Sequence, residues 1–350
     1  MVPGCRSVAS TACLLIHRTS AFAPISSSVA GQISWKKTEV LRQAFRQRPH
    51  CLAAEGDGSD EPGVAGMKGS TNDLDVFALD FDGVICNSQG ESSRSGYKAV
   101  KRLWPDLVSR LLEEQKLKED DDAPDWMLDK MRDLRPVVET GYENALLVRL
   151  LIDEKLGSTP QVSDKLLDTW GPRLRDELID KYGVSKDELV EAFGRARDEW
   201  IETDFHGWLE ANSFYPGVRE AIAACEGETY VVTTKQQRFA NALLEHAGVK
   251  MPLERIFGLG TGPKADVLAE LLDKHGSGSR LHFLEDRVET LELVSSDERL
   301  ENVQLYLCDW GFNTAVQRTK GAANPRVQVI GSGDILGVFS PMARAPASEC

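Results

Sequence analysis

Two hydrophobic periods divide this chain. Short apolar runs at 76–79, 229–232, 255–259, 279–284, 303–307 and 327–330 read as strands of a parallel sheet buried on both faces. Between the later runs, residues 218–225, 238–247 and 264–274 carry apolar positions at helical spacing. Residues 88–212 hold no convincing strand. There the pattern predicts a helix over 96–117 that Pro105 must start or break, a loop at the acidic run 119–122 with Pro124, and helices over 125–134 and 136–156. Pro136 suits the first turn of the second of these. A turn at 157–160 leads to helices over 163–182 and 185–208, where Ser185 and Glu188 read as a capping box. Together these elements predict an α/β chain whose sheet is interrupted, after its first strand, by a long helical stretch.

The first strand runs into Asp80-Phe81-Asp82-Gly83. A period of two would send both carboxylates toward one side, and Gly83 frees the backbone to turn at once. Two carboxylates this close repel unless a cation lies between them. The pair suits phosphoryl transfer, with one carboxylate attacking phosphorus, the other moving a proton and Mg2+ neutralising the charge. Read alone, an Asp-rich turn after a strand is the plainer account.

Downstream, Thr233-Thr234-Lys235 follows a strand, Pro263-Lys264 opens a helix, and Glu285-Asp286-Arg287 follows another strand. In this order, the four segments resemble the four motifs of the haloacid dehalogenase (HAD) superfamily, close to its phosphoglycolate phosphatase-like and beta-phosphoglucomutase-like members. Asp309-Trp310-Gly311-Phe312-Asn313 resembles a further stretch of the phosphatase-like relatives.

The resemblance implies a Rossmann-like parallel sheet core with an inserted all-helical cap domain. The core would comprise 73–87 plus 213–340 and the cap 88–212, with a leader and linker at 1–72 and a tail at 341–350. It implies Asp80 as nucleophile and Asp82 as acid/base, with Thr233, Thr234 and Lys264 holding the phosphate. Mg2+ would be bound by Asp80, Asp82 (through its main-chain carbonyl), Glu285 and Asp286. The activity implied is hydrolysis of a small phosphorylated metabolite through an aspartyl phosphate. Two alternatives stay open: a sugar-phosphate mutase of the same superfamily, although 88–101 lacks the His of the beta-phosphoglucomutase relatives, and a binding protein that keeps the fold without the chemistry. Asp82 argues against a dehalogenase, which has no leaving alcohol to protonate. In the expected cap, Arg132, Arg135, Glu139 and Tyr142 recur every three or four residues. On one helix they would share a face, as a substrate contact or, more plainly, around an Arg135–Glu139 ion pair.

Charge changes the picture at the N-terminus. The 350 residues carry a net charge of −14, but residues 1–54 hold seven Lys/Arg against Glu39 alone, leaving −20 for the rest. So acidic a body argues against nucleic acid or an anionic membrane surface as partner, and any phosphate site must be built locally. Ser20-Ala21-Phe22-Ala23-Pro24 resembles the cleavage motif of bipartite plastid leaders in algae with red-type secondary plastids. The Ser-, Ala- and Arg-rich segment after it has transit-peptide composition, so the plastid stroma is the expected location, with no membrane association in the mature form. A merely disordered terminus would look similar. Seven cysteines show no C-x-x-C or zinc spacing, which points to a reducing compartment. Nothing in the sequence sets the oligomeric state.

Overall fold

Strand β1 (Leu74–Leu79) sits at the middle of the sheet because alternate residues bury on opposite faces. Phe77 and Leu79 join one apolar cluster with Val231 and Leu284, while Val76 and Ala78 join another with Tyr230, Val232 and Phe283. The computed structural model describes residues 74–118, 122–276 and 278–339. The expected leader and tail therefore lie outside the described residues. β4 (Glu228–Val232) and β6 (Ser279–Glu285) flank β1, followed outward by β5 (Ile256–Phe257) on one side and β7 (Gln304–Cys308) and β8 (Val327–Ile330) on the other. All five pairings are parallel, with Leu79 opposite Val231 of β4 and Leu284 of β6.

Helices cover both faces. Gln237–His246 and Val218–Ala224 pack on one, and Lys264–His275 and Val288–Ser296 on the other. The chain builds outward from β1 to β4 and β5, then crosses back to β6, β7 and β8. This is the Rossmann strand order, and it reverses between β1 and β6. A crevice opens at such a reversal, beyond the carboxyl ends of the strands, and that is where open α/β sheets bind ligands.

Directly after β1, the short strands β2 (Cys86–Asn87) and β3 (Ser213–Phe214) pair antiparallel. Among the described residues between Asn87 and Ser213 every regular element is helical, and this insertion buries a core of its own around Tyr97, Leu111, Met127 and Leu146. Its first helix, Gln89–Leu103, buries Glu91 completely, where Arg197 of helix Lys186–Thr203 grips both carboxylate oxygens at 2.8 and 2.9 Å. The Ser185–Glu188 capping box is formed. The predicted helix over 163–182 is broken at Gly171, where Pro172 starts a separate helix, Pro172–Tyr182.

One departure bears on function. Residues 136–156 do not form a single helix. A 3-10 turn spans Arg135–Val137 and the α-helix starts only at Glu143 (Glu143–Lys155). Glu143 is the reason: its buried carboxylate accepts from the Thr140 hydroxyl (2.8 Å), the Thr140 amide (3.2 Å), Trp170 Nε1 (2.9 Å) and Arg175 (2.7 Å), which fastens residues 139–142 as a loop. Among the described residues, no helix is long and apolar enough to cross a membrane.

Candidate active site

Asp80 leaves β1 still in register, its amide donating to Leu284 of β6 at 2.9 Å. The chain then folds back on itself, with the amides of Ile85 and Cys86 both donating to the Phe81 carbonyl. Gly83, at φ +93°, makes the reversal, and a Cβ there would lie 1.9 Å from Asp286 Oδ2. Glycine is thus required twice, for its backbone conformation and for the approach of Asp286.

Asp80, Glu285 and Asp286 are buried and each presents a carboxylate oxygen within 4.8 Å of the others. Lys264, the first residue of its helix, reaches between them, with Nζ 2.7 Å from Glu285 Oε2 and 2.9 Å from Asp80 Oδ1. The second contact is an ion pair outside hydrogen-bond geometry, so Asp80 Oδ1 is buried without a hydrogen-bond partner. Glu285 has both oxygens engaged, since Oε1 accepts the amides of Asp286 and Arg287. Asp286 Oδ2 accepts the Phe312 amide at 2.6 Å. The 309–313 stretch wraps Asp286: Asn313 donates to its carbonyl at 2.9 Å, and a Cβ on Gly311 would fall 2.3 Å from its Cβ.

Charge follows from this packing. Burial, aided by Glu285 and Asp82 and opposed by Lys264, pushes the Asp80 carboxyl up to about 6. Burial and the charges of Glu285 and Asp80 push Asp286 well above the ordinary carboxyl range. Burial also opposes the charge on Lys264, but Asp80 and Glu285 more than offset it and hold the ammonium charged.

Asp82 stands apart from this cluster, with an amine of its own. Lys235 Nζ lies 2.9 Å from Oδ1 and 3.2 Å from Oδ2. Burial would raise the Asp82 carboxyl, yet Lys235 prevails and holds it below its ordinary value. The sequence pattern assigns Lys235 no role of its own. Its signal was there: a lysine directly after the hydroxyls that end β4, in an acidic body, must find a carboxylate if it is buried. Thr233 is buried at the end of β4, beside β1, its Oγ1 accepting the Lys235 amide at 3.2 Å. Thr234 is exposed and makes none of the contacts that tie the cluster together.

The insertion comes to this site through residues 135–139. The Arg135–Glu139 ion pair expected on a helical face is not formed, because the segment is not helical there. Glu139 instead meets Arg175 (3.2 Å) and Arg287 (3.5 Å), the residue after Asp286. Arg287 also donates to the Val138 carbonyl at 3.3 Å. Arg135 stacks on Phe312, with Cζ 3.9 Å from the ring centroid.

The chain is an open α/β sheet that gathers carboxylates and a lysine at its topological switch point, the place where such sheets bind ligands. Neither a protein-family model nor a curated protein matches the sequence. Among solved structures the chain is similar to a predicted phosphoglycolate phosphatase from Haemophilus somnus (14% identity, TM-score 0.47), covering 77% of this chain and 99% of that one. It is also similar to a predicted phosphatase from Clostridium acetobutylicum (13%, TM-score 0.43), covering 76% of this chain and 97% of that one. A third is a haloacid dehalogenase-like hydrolase from Streptococcus pneumoniae (14%, TM-score 0.41), covering 77% and 100%. Chemistry must come from this chain's own side chains.

Proposed function

We propose that this chain is a Mg2+-dependent phosphomonoester hydrolase of the HAD type, acting on a small phosphorylated metabolite beneath its helical insertion. One observation carries the reading. A buried carboxylate at the switch point, Asp80, keeps one oxygen free of hydrogen bonds while a lysine and two further acids crowd around it.

The donor set fits a hard divalent cation. The cluster offers carboxylate oxygens, Asp80 Oδ1 has an ion pair to Lys264 but no hydrogen bond, and burial together with the neighbouring carboxylates pushes Asp80 and Asp286 toward protonation. Asp80 and Asp286 would hold the ion, with the Asp82 main-chain carbonyl beside them. Glu285, both of whose oxygens are engaged, would act chiefly by fixing Lys264. Bound Mg2+ would supply charge that neutralises the crowded carboxylates and the phosphoryl group.

In this account a carboxylate oxygen of Asp80 attacks phosphorus. The ester P–O bond breaks, and the leaving oxygen takes a proton from Asp82. Asp82, now a carboxylate, removes a proton from water. The water oxygen attacks phosphorus, the bond to Asp80 breaks, and phosphate leaves. Lys264 and Thr233 hold the phosphoryl oxygens. Asp82 must be protonated before the first step. Its pairing with Lys235 opposes this, while a phosphoryl dianion arriving beside it favours it. The test is phosphate release from a panel of metabolite monoesters with and without Mg2+. Turnover should need the metal and vanish in Asp80→Asn; turnover retained by that variant would refute the assignment. The plastid reading stands with it as a proposal, tested by fusing residues 1–54 to a fluorescent reporter.

A further inference from the structure

Two buried ion pairs lie close together where the insertion meets the core, and only one of them takes part in the proposed chemistry. Lys235 and Asp82 form the pair at the site. The other joins Glu91 to Arg197, both in the insertion. Glu91 is fully buried, and its Oε1 also accepts the Ser95 hydroxyl at 2.8 Å. Arg197 spends its fork on Glu91 and lies over Phe239, with Cζ 5.3 Å from the ring centroid. Phe239 belongs to helix Gln237–His246, which starts just after Lys235. Asp198, beside Arg197, accepts from Arg238 of the same helix at 3.0 Å. The Glu91–Arg197 pair is therefore seated on the segment that carries Lys235.

A buried ion pair is a poor choice merely for holding the insertion on the core. Apolar side chains of similar volume do that as well or better. What the pair adds is fixed charge. Burial would raise the Glu91 carboxyl, but Arg197 first and Lys235 next hold it below its ordinary value. Burial likewise opposes the charge on Arg197, which Glu91 and also Asp82 favour. Arg197, Glu91, Lys235 and Asp82 thus alternate in sign from the insertion to the site. Lys235 carries its ammonium on a flexible four-carbon stem, and its side chain is only 3% exposed, so water does little to fix it. The ammonium rests where charges place it: that of Asp82, which it touches, and that of Glu91, which acts on it from the insertion.

We infer that Glu91 and Arg197 are positioning residues, which fix the Lys235 ammonium and, through it, the Asp82 carboxyl that serves the leaving oxygen and the attacking water. Neither residue touches the reacting atoms, and Asp80 keeps Lys264 without them. The inference rests on the phosphatase reading above and deepens it.

The test uses the full chain with Mg2+ and two variants. Glu91→Leu/Arg197→Met removes the pair without leaving a buried charge unmatched, and Glu91→Gln keeps the shape without the charge. Melting curves establish that they are folded. Two substrates are compared: the best alkyl monoester of the metabolite panel, whose leaving oxygen needs a proton, and acetyl phosphate, whose leaving carboxylate needs none. In the double variant, kcat/KM for the alkyl ester should fall about ten- to a hundredfold, within the worth of one positioned general acid. For acetyl phosphate kcat/KM should hold, while kcat and KM fall together because Asp82 must still activate water against the aspartyl phosphate. Glu91→Gln should show a smaller change of the same kind. An equal fall in kcat/KM on both substrates, or no fall on the alkyl ester, overturns the inference and leaves the phosphatase reading standing. Failure of the wild type to release phosphate from every ester of the panel and from a generic aryl phosphate overturns that reading itself, and the inference with it.

Discussion

Asp80→Asn should make the metal-free protein more stable while removing its activity. The Asp80 carboxyl is buried and its value stands at about 6 instead of 3.8. A carboxyl raised in the folded state lets that state bind more protons than the unfolded chain between the two values. Stability therefore falls as pH rises through this window, and the whole cost is present above about 6. At 1.36 kcal/mol for each pH unit, an ionised Asp80 costs ~3 kcal/mol near pH 7.5, falling to ~1 kcal/mol near pH 4.5. Asparagine carries no such charge and can still meet Lys264 with its carbonyl. For a chain of this size the gain corresponds to roughly 4–5 °C in Tm. The assay is thermal unfolding of both proteins in a chelator at the two pH values. The variant should melt higher near pH 7.5, with the gap narrowing in acid. Saturating Mg2+ should raise the wild type more than the variant. A variant that melts lower than the wild type at neutral pH in chelator, or a gap independent of pH, would refute the claim that Asp80 is held ionised at a cost.

Other perturbations test neighbouring parts of the site. Lys235→Met removes both contacts to Asp82, leaving burial to raise its carboxyl, so the alkaline limb of the kcat/KM profile should move to higher pH; an unmoved limb would separate Lys235 from the proton step. Gly311→Ala puts a methyl 2.3 Å from Asp286 Cβ and 2.5 Å from the Gly83 carbonyl, and should cost ~1–3 kcal/mol together with most of the Mg2+-induced rise in Tm, read by calorimetry. Glu143→Ala leaves Trp170 Nε1 without its acceptor and breaks the buried Glu143–Arg175 pair, which should cost ~3–5 kcal/mol in denaturant unfolding and loosen the loop carrying Arg135.

The sheet was legible because its strands are apolar runs whose period of two serves two buried faces, as Val76–Leu79 shows in β1. Asp80, Lys264, Glu285 and Asp286 were legible because each stands where a strand ends or a helix begins, and the fold brings those ends together. Lys235 escaped because a lysine is ordinarily solvated, and only tertiary packing buries this one against Asp82. Residues 136–142 depart from the expected helix for a related reason. Helical spacing of Arg132, Arg135, Glu139 and Tyr142 outweighed the possibility that a buried acid, Glu143, would capture the amides of 139 and 140 and hold the chain out of a helix. Local pattern reports the elements well. It says little of loops whose shape is set by one buried side chain.

The central claim is that Asp80 itself bonds to phosphorus. It is tested by acid quenching during steady hydrolysis of a phosphate monoester, followed by borohydride reduction, digestion and mass spectrometry. An aspartyl phosphate at position 80 should appear as a phosphorylated peptide in the quenched sample and as homoserine at 80 after reduction. Phosphate released at full rate with position 80 unmodified in both samples would contradict it.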